Sequence, residues 1–342
     1  MVEEKGIVEE EKMGINEGYE KNREKYPLVS VVIPVHNERK HLPRCLDTLY
    51  SQSYPNLEII IIDDNSTQDY SDFLPKYIEK GLVYKKNETQ NGPGYCRNMG
   101  VRMAKGEIIC FTDADIEHDK DYIMVLTELI REGKAEATFA REGYIANADK
   151  PLSECWGIPP YPNPNKTSDV SRAILKKTFL DHGGFNPKKG YFDDGMKIVS
   201  IGVMGAKYGH YNPEDAREVI IQSKWIGSSF QVRMANQLIE GKEVSSAGII
   251  ARNIGMLIGK MSYASLPIAC LLLFLGFFTH FAISVFGLLV ILAGLGTFLF
   301  AEFAYIKKKG KHPLIYPYYF YLSSLGFTLG ILQRVLTGKR TR

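Results

Sequence analysis

Little in this sequence suggests a fold stapled by metal or disulfides. The 342 residues hold five cysteines, Cys45, Cys96, Cys110, Cys155 and Cys270, an odd number with no C-x-x-C pair. Neither a zinc ribbon nor a disulfide framework is expected. Formal net charge is only +3, so there is no overall basic footprint and no nucleic-acid partner is expected. No basic stretch followed by an apolar run opens the chain, and a cleaved signal peptide is not expected. From Lys260 to Glu302 there is no Asp, Glu, Lys or Arg between them, which excludes an ordinary solvated segment there.

The charge that is present lies unevenly. Residues 1–25 hold eight Glu against five Lys or Arg, whereas residues 307–342 hold eight Lys or Arg and no acid. The first stretch has too few apolar side chains to offset its ordering entropy, which predicts a charged, mobile tail over 1–26. The basic carboxyl end predicts a membrane surface nearby.

Between these ends the pattern alternates. Leu28-Val-Ser-Val-Val-Ile-Pro34 and Leu57-Glu-Ile-Ile-Ile-Ile-Asp-Asp64 read as buried strands, with Leu42, Cys45, Leu46 and Leu49 spaced for a helix between them. A helix over Tyr70 to Lys80 and a strand over Leu82 to Lys85 follow. This order predicts a parallel sheet with helical crossovers. Asn91-Gly-Pro-Gly-Tyr-Cys-Arg-Asn-Met-Gly100 is a glycine-rich loop feeding a helix, with Arg97 in its first turn. Such a loop and a guanidinium suit a diphosphate.

Glu107-Ile-Ile-Cys-Phe-Thr-Asp-Ala-Asp115 is a short strand with two carboxylates at its end. In an open parallel sheet the ligand crevice lies outside the carboxyl ends of the strands. Hard divalent ions take one or two carboxylates there, together with substrate phosphates.

These four pieces, V-S-V-V-I-P-V-H-N-E, I-I-D-D-N-S-T, G-P-G-Y-C-R-N-M-G and the D-x-D of Asp113 and Asp115, resemble in order and spacing the inverting glycosyltransferases of family 2. The resemblance implies the GT-A fold, an α/β nucleotide-sugar domain with a Rossmann-like mixed sheet and helices on both faces. It implies a donor site in which Pro34, His36 and Glu38 border the base of a UDP- or GDP-linked sugar. Asp64 would bond the base, Arg97 would sit near base or phosphates, and Asp113 would reach ribose or metal. Asp115 would hold Mg2+ or Mn2+. A Gly-x-Gly-Thr-Arg loop, the mark of sugar nucleotidyltransferases, is absent from the first strand.

Further on, a helix is predicted from Tyr122 to about Gly133 and a strand over Ala135 to Ile145. Gly183-Gly-Phe185, followed by Phe192-Asp-Asp-Gly, is similar to the family's acceptor segment. That likeness implies Asp194 as catalytic base with Asp193 beside it. Attack by a sugar hydroxyl needs such a group. The family's His near position 222 is replaced by Gln222; His210 is a candidate surrogate ligand, although a lone His is more often structural or on the surface. No Gln-x-x-Arg-Trp motif occurs, which favours single-sugar addition over polymerisation.

The expected organisation is a tail over 1–26 and a glycosyltransferase domain over 27–240. The domain divides into a donor half, 27–120, and an acceptor half, 121–240. An interfacial helix over 245–262 and two transmembrane helices over 263–306 follow. Residues 307–342 should form a basic loop, a re-entrant or third hydrophobic segment and a basic tail. Together these describe a multi-pass cell-membrane enzyme with its catalytic domain cytoplasmic. It would move one sugar to a hydroxyl of a lipid-linked or glycan acceptor. A polyprenyl-phosphate glycosyltransferase is the near alternative, but a phosphate acceptor needs no base, so Asp193 and Asp194 argue for a hydroxyl acceptor. A non-catalytic nucleotide-sugar-binding membrane subunit is the other.

Overall fold

The computed structural model describes residues 26–156, 172–186, 198–239, 258, 260–270, 281–307 and 311–337. They cluster into two compact units. One comprises residues 1–144, 161–187 and 194–210, the other residues 145–160, 188–193 and 211–342.

The first unit is built on an eight-stranded sheet. Its strands are β1 (Val29–Val35), β2 (Leu57–Asp63), β3 (Val83–Lys86), β4 (Ile108–Phe111), β5 (Ile116–His118), β6 (Ala137–Ile145), β7 (Ala173–Leu175) and β8 (Ile201–His210). They lie in the order β3-β2-β1-β4-β7-β6-β8-β5. The first four pair in parallel, as the alternation predicts, with Val29 opposite Leu57 and Val32 opposite Phe111. β7 then pairs antiparallel with both β4 and β6, and β5 antiparallel with β8.

Strand order reverses between β1 and β4, and a crevice opens outside the strand ends at such a switch point. Successive side chains of a strand face opposite ways. Val29, Val31, Ile33 and Val35 therefore join one core with Leu42, Leu46 and Leu49, while Val32 joins another with Ile60, Ile62 and Phe111. The first core is sealed by helix α1 (Leu42–Tyr50), whose Leu42, Cys45, Leu46 and Leu49 are all buried.

Crossover helices α2 (Leu74–Ile78) and α3 (Pro93–Met103) complete the parallel half. α2 is shorter than its expected span. The close seat of α3 depends on Gly100, where a Cβ would stand 2.3 Å from Val32 Cγ1. The helix expected from Tyr122 to Gly133 is instead two, α4 (Tyr122–Leu126) and α5 (Glu128–Arg131). They break at buried Thr127, whose hydroxyl donates back to the Ile123 carbonyl at 2.8 Å. Helix α6 (Pro151–Trp156) and helix α7 (Lys176–Asp181) are single short turns of structure.

The second unit holds α6 and three long helices, α8 (Ala216–Ile239), α9 (Phe281–Lys307) and α10 (Tyr316–Thr337). Glycines bring α8 and α10 into backbone contact. A Cβ on Gly227 would stand 2.1 Å from the Phe327 carbonyl oxygen, and one on Gly330 2.0 Å from that of Lys224. The Tyr305 hydroxyl donates to Glu154, whose other oxygen accepts the Lys311 N–H at 3.1 Å. α9 and the loop after it are thereby fastened to α6.

Among the described residues one helix is long and apolar enough to cross a membrane, Val285–Phe303 with a mean hydropathy of 2.1. The other expected crossing lies partly in 271–280, and the interfacial helix largely in 240–257, outside the described residues. The third hydrophobic segment is α10, which buries Phe320, Ser323, Gly326, Phe327 and Gly330 along one face.

Candidate functional site

The site forms where β1, β2 and β4 end. Asp63 and Asp64 leave β2 into a turn in which Asn65 takes a φ of 62°, and Asn37 after β1 takes 55°. Asn tolerates this left-handed region better than most residues. Asn37 then serves as the turn's anchor. Its Oδ1 accepts the Thr67 N–H at 2.9 Å and the Gln68 N–H at 3.2 Å.

His36 Nδ1 lies 2.9 Å from the Asp64 carbonyl oxygen, so the loops after β1 and β2 brace each other. Glu38 Oε1 lies 2.6 Å from His41 Nδ1. Pro34 is within buried β1.

Asp64 is 1% exposed and faces the glycine-rich loop. Its Oδ1 accepts the Asn91 N–H at 2.8 Å and its Oδ2 the Gly92 N–H at 2.7 Å. The carboxylate therefore fixes the loop that opens α3. Asn87 Nδ2 also donates to Oδ1 at 3.2 Å, so three of a carboxylate's about four acceptor positions are taken. Gly92 itself needs its φ of 90°, a conformation open to glycine.

Arg97 and Asn98 point from α3 in different directions. Asn98 clamps the backbone of Phe185, donating to its carbonyl at 2.8 Å and accepting its N–H at 2.9 Å. The guanidinium of Arg97 lies 5.6 Å from the Phe185 ring centroid and donates to Asp113 Oδ1 at 2.6 Å.

Asp113 receives a second guanidinium from Arg172, at 3.3 Å from Oδ2. Burial alone would raise the Asp113 carboxyl, but Arg97 and Arg172 outweigh it and hold it well below the usual carboxylate range. Arg172 had no role in the sequence reading. Its signal is topological, because β7 runs antiparallel to β4 with Ala173 opposite Cys110 and so carries Arg172 to the strand end.

Asp115, two residues on, has the opposite environment. Burial, chiefly, together with Glu38 and Asp113, raises its carboxyl against the pull of His210. His210 Nε2 stands 3.6 Å from Asp115 Oδ2, while Asp115 Oδ1 is buried with no hydrogen-bond partner among the described residues. The pairing of β5 with β8 puts His210 opposite Ile116 and so beside Asp115. A lone His is more often structural, which is why sequence reasoning ranked His210 low.

An orphaned carboxylate oxygen beside an imidazole offers two donors to a divalent cation, but among the described residues no group of three or more His, Cys, Asp or Glu gathers to hold one. Asp193 and Asp194 lie outside the described residues.

A neutral histidine closes the floor. His118 is 5% exposed, 2.8 Å from Thr112 Oγ1. Burial, with Arg172 adding, pulls its pKa down to about 3.

Residues 30–186 match a family described as Glycosyl transferase family 2. That stretch is similar to a family 2 glycosyltransferase domain.

The domain is 32% identical over 111 residues to the glycosyltransferase GlyG of Streptococcus pneumoniae, an alignment covering 32% of this chain and 37% of that one. It is 36% identical over 88 residues to the UDP-Glc:alpha-D-GlcNAc-diphosphoundecaprenol beta-1,3-glucosyltransferase WfaP of Escherichia coli, covering 26% and 35%. The chain thus spans about a third of the length of these two curated relatives. Among solved structures, a mannosyltransferase from Pyrobaculum calidifontis, in complex with GDP-Man and Mn2+, superposes with a TM-score of 0.52. It is 16% identical, and the match covers 92% of this chain and 88% of that one. At that identity the match speaks to the fold, a GT-A-like mixed sheet with helices.

Proposed function

We propose that the protein is a membrane-anchored inverting glycosyltransferase. It moves one sugar from a UDP- or GDP-linked donor to a hydroxyl of a lipid-linked or glycan acceptor at the cytoplasmic face of the cell membrane. The observation that carries this reading is the division of labour at the D-x-D: Asp113 held between two arginines, Asp115 left with a buried unpartnered oxygen beside His210.

Asp115 and His210 would hold Mg2+ or Mn2+, and the bound ion would neutralise the departing nucleoside diphosphate. The chain's own residues do the rest. Asp64 holds the glycine-rich loop at Asn91 and Gly92, with Pro34, His36 and Glu38 beside it as the border for the base. Arg97 and Arg172 supply fixed positive charge at the strand end, where phosphate oxygens gather. Asp194, with Asp193 beside it, takes the acceptor proton as the oxygen attacks the anomeric carbon.

Base on one face of that carbon and leaving diphosphate on the other give inversion. The WfaP relative, whose name includes a diphosphoundecaprenol acceptor, supports a lipid-linked acceptor. The uncharged stretch after Lys260 supports the anchor.

The test is transfer from a panel of nucleotide sugars by detergent-solubilised protein with a membrane lipid extract, with Mn2+, Mg2+ or chelator. Metal-dependent release of one nucleoside diphosphate, with label entering lipid, is expected. Asp194→Asn should lose transfer at least about a hundredfold, the scale of general-base catalysis. If Asp194→Asn leaves transfer intact while Asp115→Ala abolishes it, the acceptor is a phosphate and the polyprenyl-phosphate reading replaces this one. Metal-dependent nucleotide binding without turnover on any donor would make the protein a binding subunit.

A further inference from the structure

The C-terminal unit holds a half-open pocket of about 250 Å3, lined among others by Trp156, Ser223, Ile226, Lys260, Ser323 and Phe327. That is space for about eight waters. Its walls mix polar and aromatic groups, with Trp156 edge-on to the ring of Tyr319, a further lining residue, at 6.3 Å.

Its polar groups include one ammonium and three hydroxyls, each able to donate. Lys260 Nζ lies 3.2 Å from Ser323 Oγ and 5.0 Å from the Phe327 ring centroid. No carboxylate pairs with it among the described residues. Ser223 Oγ is buried with no hydrogen-bond partner there. The Tyr319 hydroxyl shares a hydrogen bond with Ser323. A half-buried ammonium is commonly paired with an acid, because losing water costs it free energy. Here a hydroxyl and a ring stand in that place.

One cation and converging hydroxyls beside Trp156, Ile226 and Phe327 suit an oxyanion with an apolar continuation. A phosphate uses such a set well, since its oxygens accept from several directions and Lys meets it as a point charge. Lys260 is also the last charge before 41 uncharged residues, so the chamber sits where the chain turns apolar.

We infer that this cavity binds the phosphate headgroup of an amphiphile. Lys260 is the counter-ion, Ser223 and Ser323 are hydrogen-bond partners, and Trp156, Ile226 and Phe327 receive the first carbons of the chain. This site stands on the cavity alone and requires no sugar transfer.

The chain has two tryptophans, Trp156 and Trp225. In a Trp225→Phe background Trp156 becomes the sole reporter of the cavity. Full-length protein in neutral detergent is titrated with dodecyl phosphate, dodecanol and inorganic phosphate, following tryptophan fluorescence. Dodecyl phosphate should bind saturably and at least tenfold more tightly than dodecanol. Lys260→Met should weaken it at least tenfold with a thermal midpoint no lower than the parent's, Lys260→Arg should retain it within about threefold, and Ser223→Ala should weaken it about threefold.

Equal binding of dodecanol, or undiminished binding by Lys260→Met, overturns the proposal. Inorganic phosphate binding as tightly as dodecyl phosphate overturns the amphiphile and leaves a free-phosphate site. None of these readouts uses a sugar donor, so failure here and failure of the glycosyltransferase reading are separate results.

Discussion

Asp113 carries its negative charge between two guanidinium groups, and that charge can be removed by acid. Its folded-state carboxyl is depressed, so the stability it contributes is present above the ordinary carboxylate pKa of about 4 and is lost as pH falls through the lower folded value. Asp113→Asn should cost about 2 kcal/mol at pH 7, toward the low end for a broken ion pair because the Asp113 side chain is 31% exposed. In urea unfolding the gap between variant and parent should narrow below pH 4.

Asp115 should behave oppositely. Its carboxyl is raised, chiefly by burial, so its charge is a burden that protonation relieves. Asp115→Asn should melt no lower than the parent in chelator, and should lose transfer when both are assayed with Mn2+. His118 gives a third signature. Its pKa falls to about 3 when folded, against about 6.5 unfolded. Stability should then decline as pH drops below about 6, by up to about 1.4 kcal/mol per unit, and His118→Gln should flatten that slope.

At the level of elements, close backbone approaches make sharp predictions. A methyl at Gly330 would stand 2.0 Å from the Lys224 carbonyl oxygen, so Gly330→Ala must push α10 off α8. A loss of about 1–3 kcal/mol is expected, typical of overpacking, read as faster proteolysis within α10. Gly184→Ala combines a φ of 73° with a Cβ 2.7 Å from Asn98 Oδ1. It should loosen the Phe185 turn, and so the ring beside Arg97.

Much of the donor half was legible for a physical reason. Continuous apolar runs such as Ile59–Ile62 admit only a buried strand, and the polar groups that follow them fall at the strand ends. In the other half the strand expected over Ala135 to Ile145 appears as β6, but its place in the sheet was not legible, because antiparallel pairings between distant segments decide it. Nothing local to Arg172 or His210 says that β7 and β8 will carry them beside Asp113 and Asp115. Nor does periodicity locate the break at Thr127. The carboxylate of Asp64, read as a base contact, also turned out to hold a loop, since Asn91 and Gly92 present N–H groups that sequence spacing does not aim.

For the whole molecule, the helix over Val285–Phe303 leaves most of its apolar surface uncovered, with Phe286, Leu289, Leu299, Phe300 and Phe303 each more than half exposed. The expected outcome is sedimentation with liposomes that persists in 1 M salt, where surface charge attraction is screened to within about 3 Å, and that needs detergent to reverse. Release by salt alone would make the basic carboxyl end the anchor instead.

Synthesis order adds a constraint on that end. α8 finishes at Ile239, yet α10, which fills the groove floored by Gly227, begins only at Tyr316. At about 5–20 residues per second on a ribosome, that groove waits several seconds for its occupant while the most apolar stretch of the chain emerges beside it. Premature stops between the two helices should therefore yield products captured by chaperones or degraded, even though every residue of the D-x-D site has already been made.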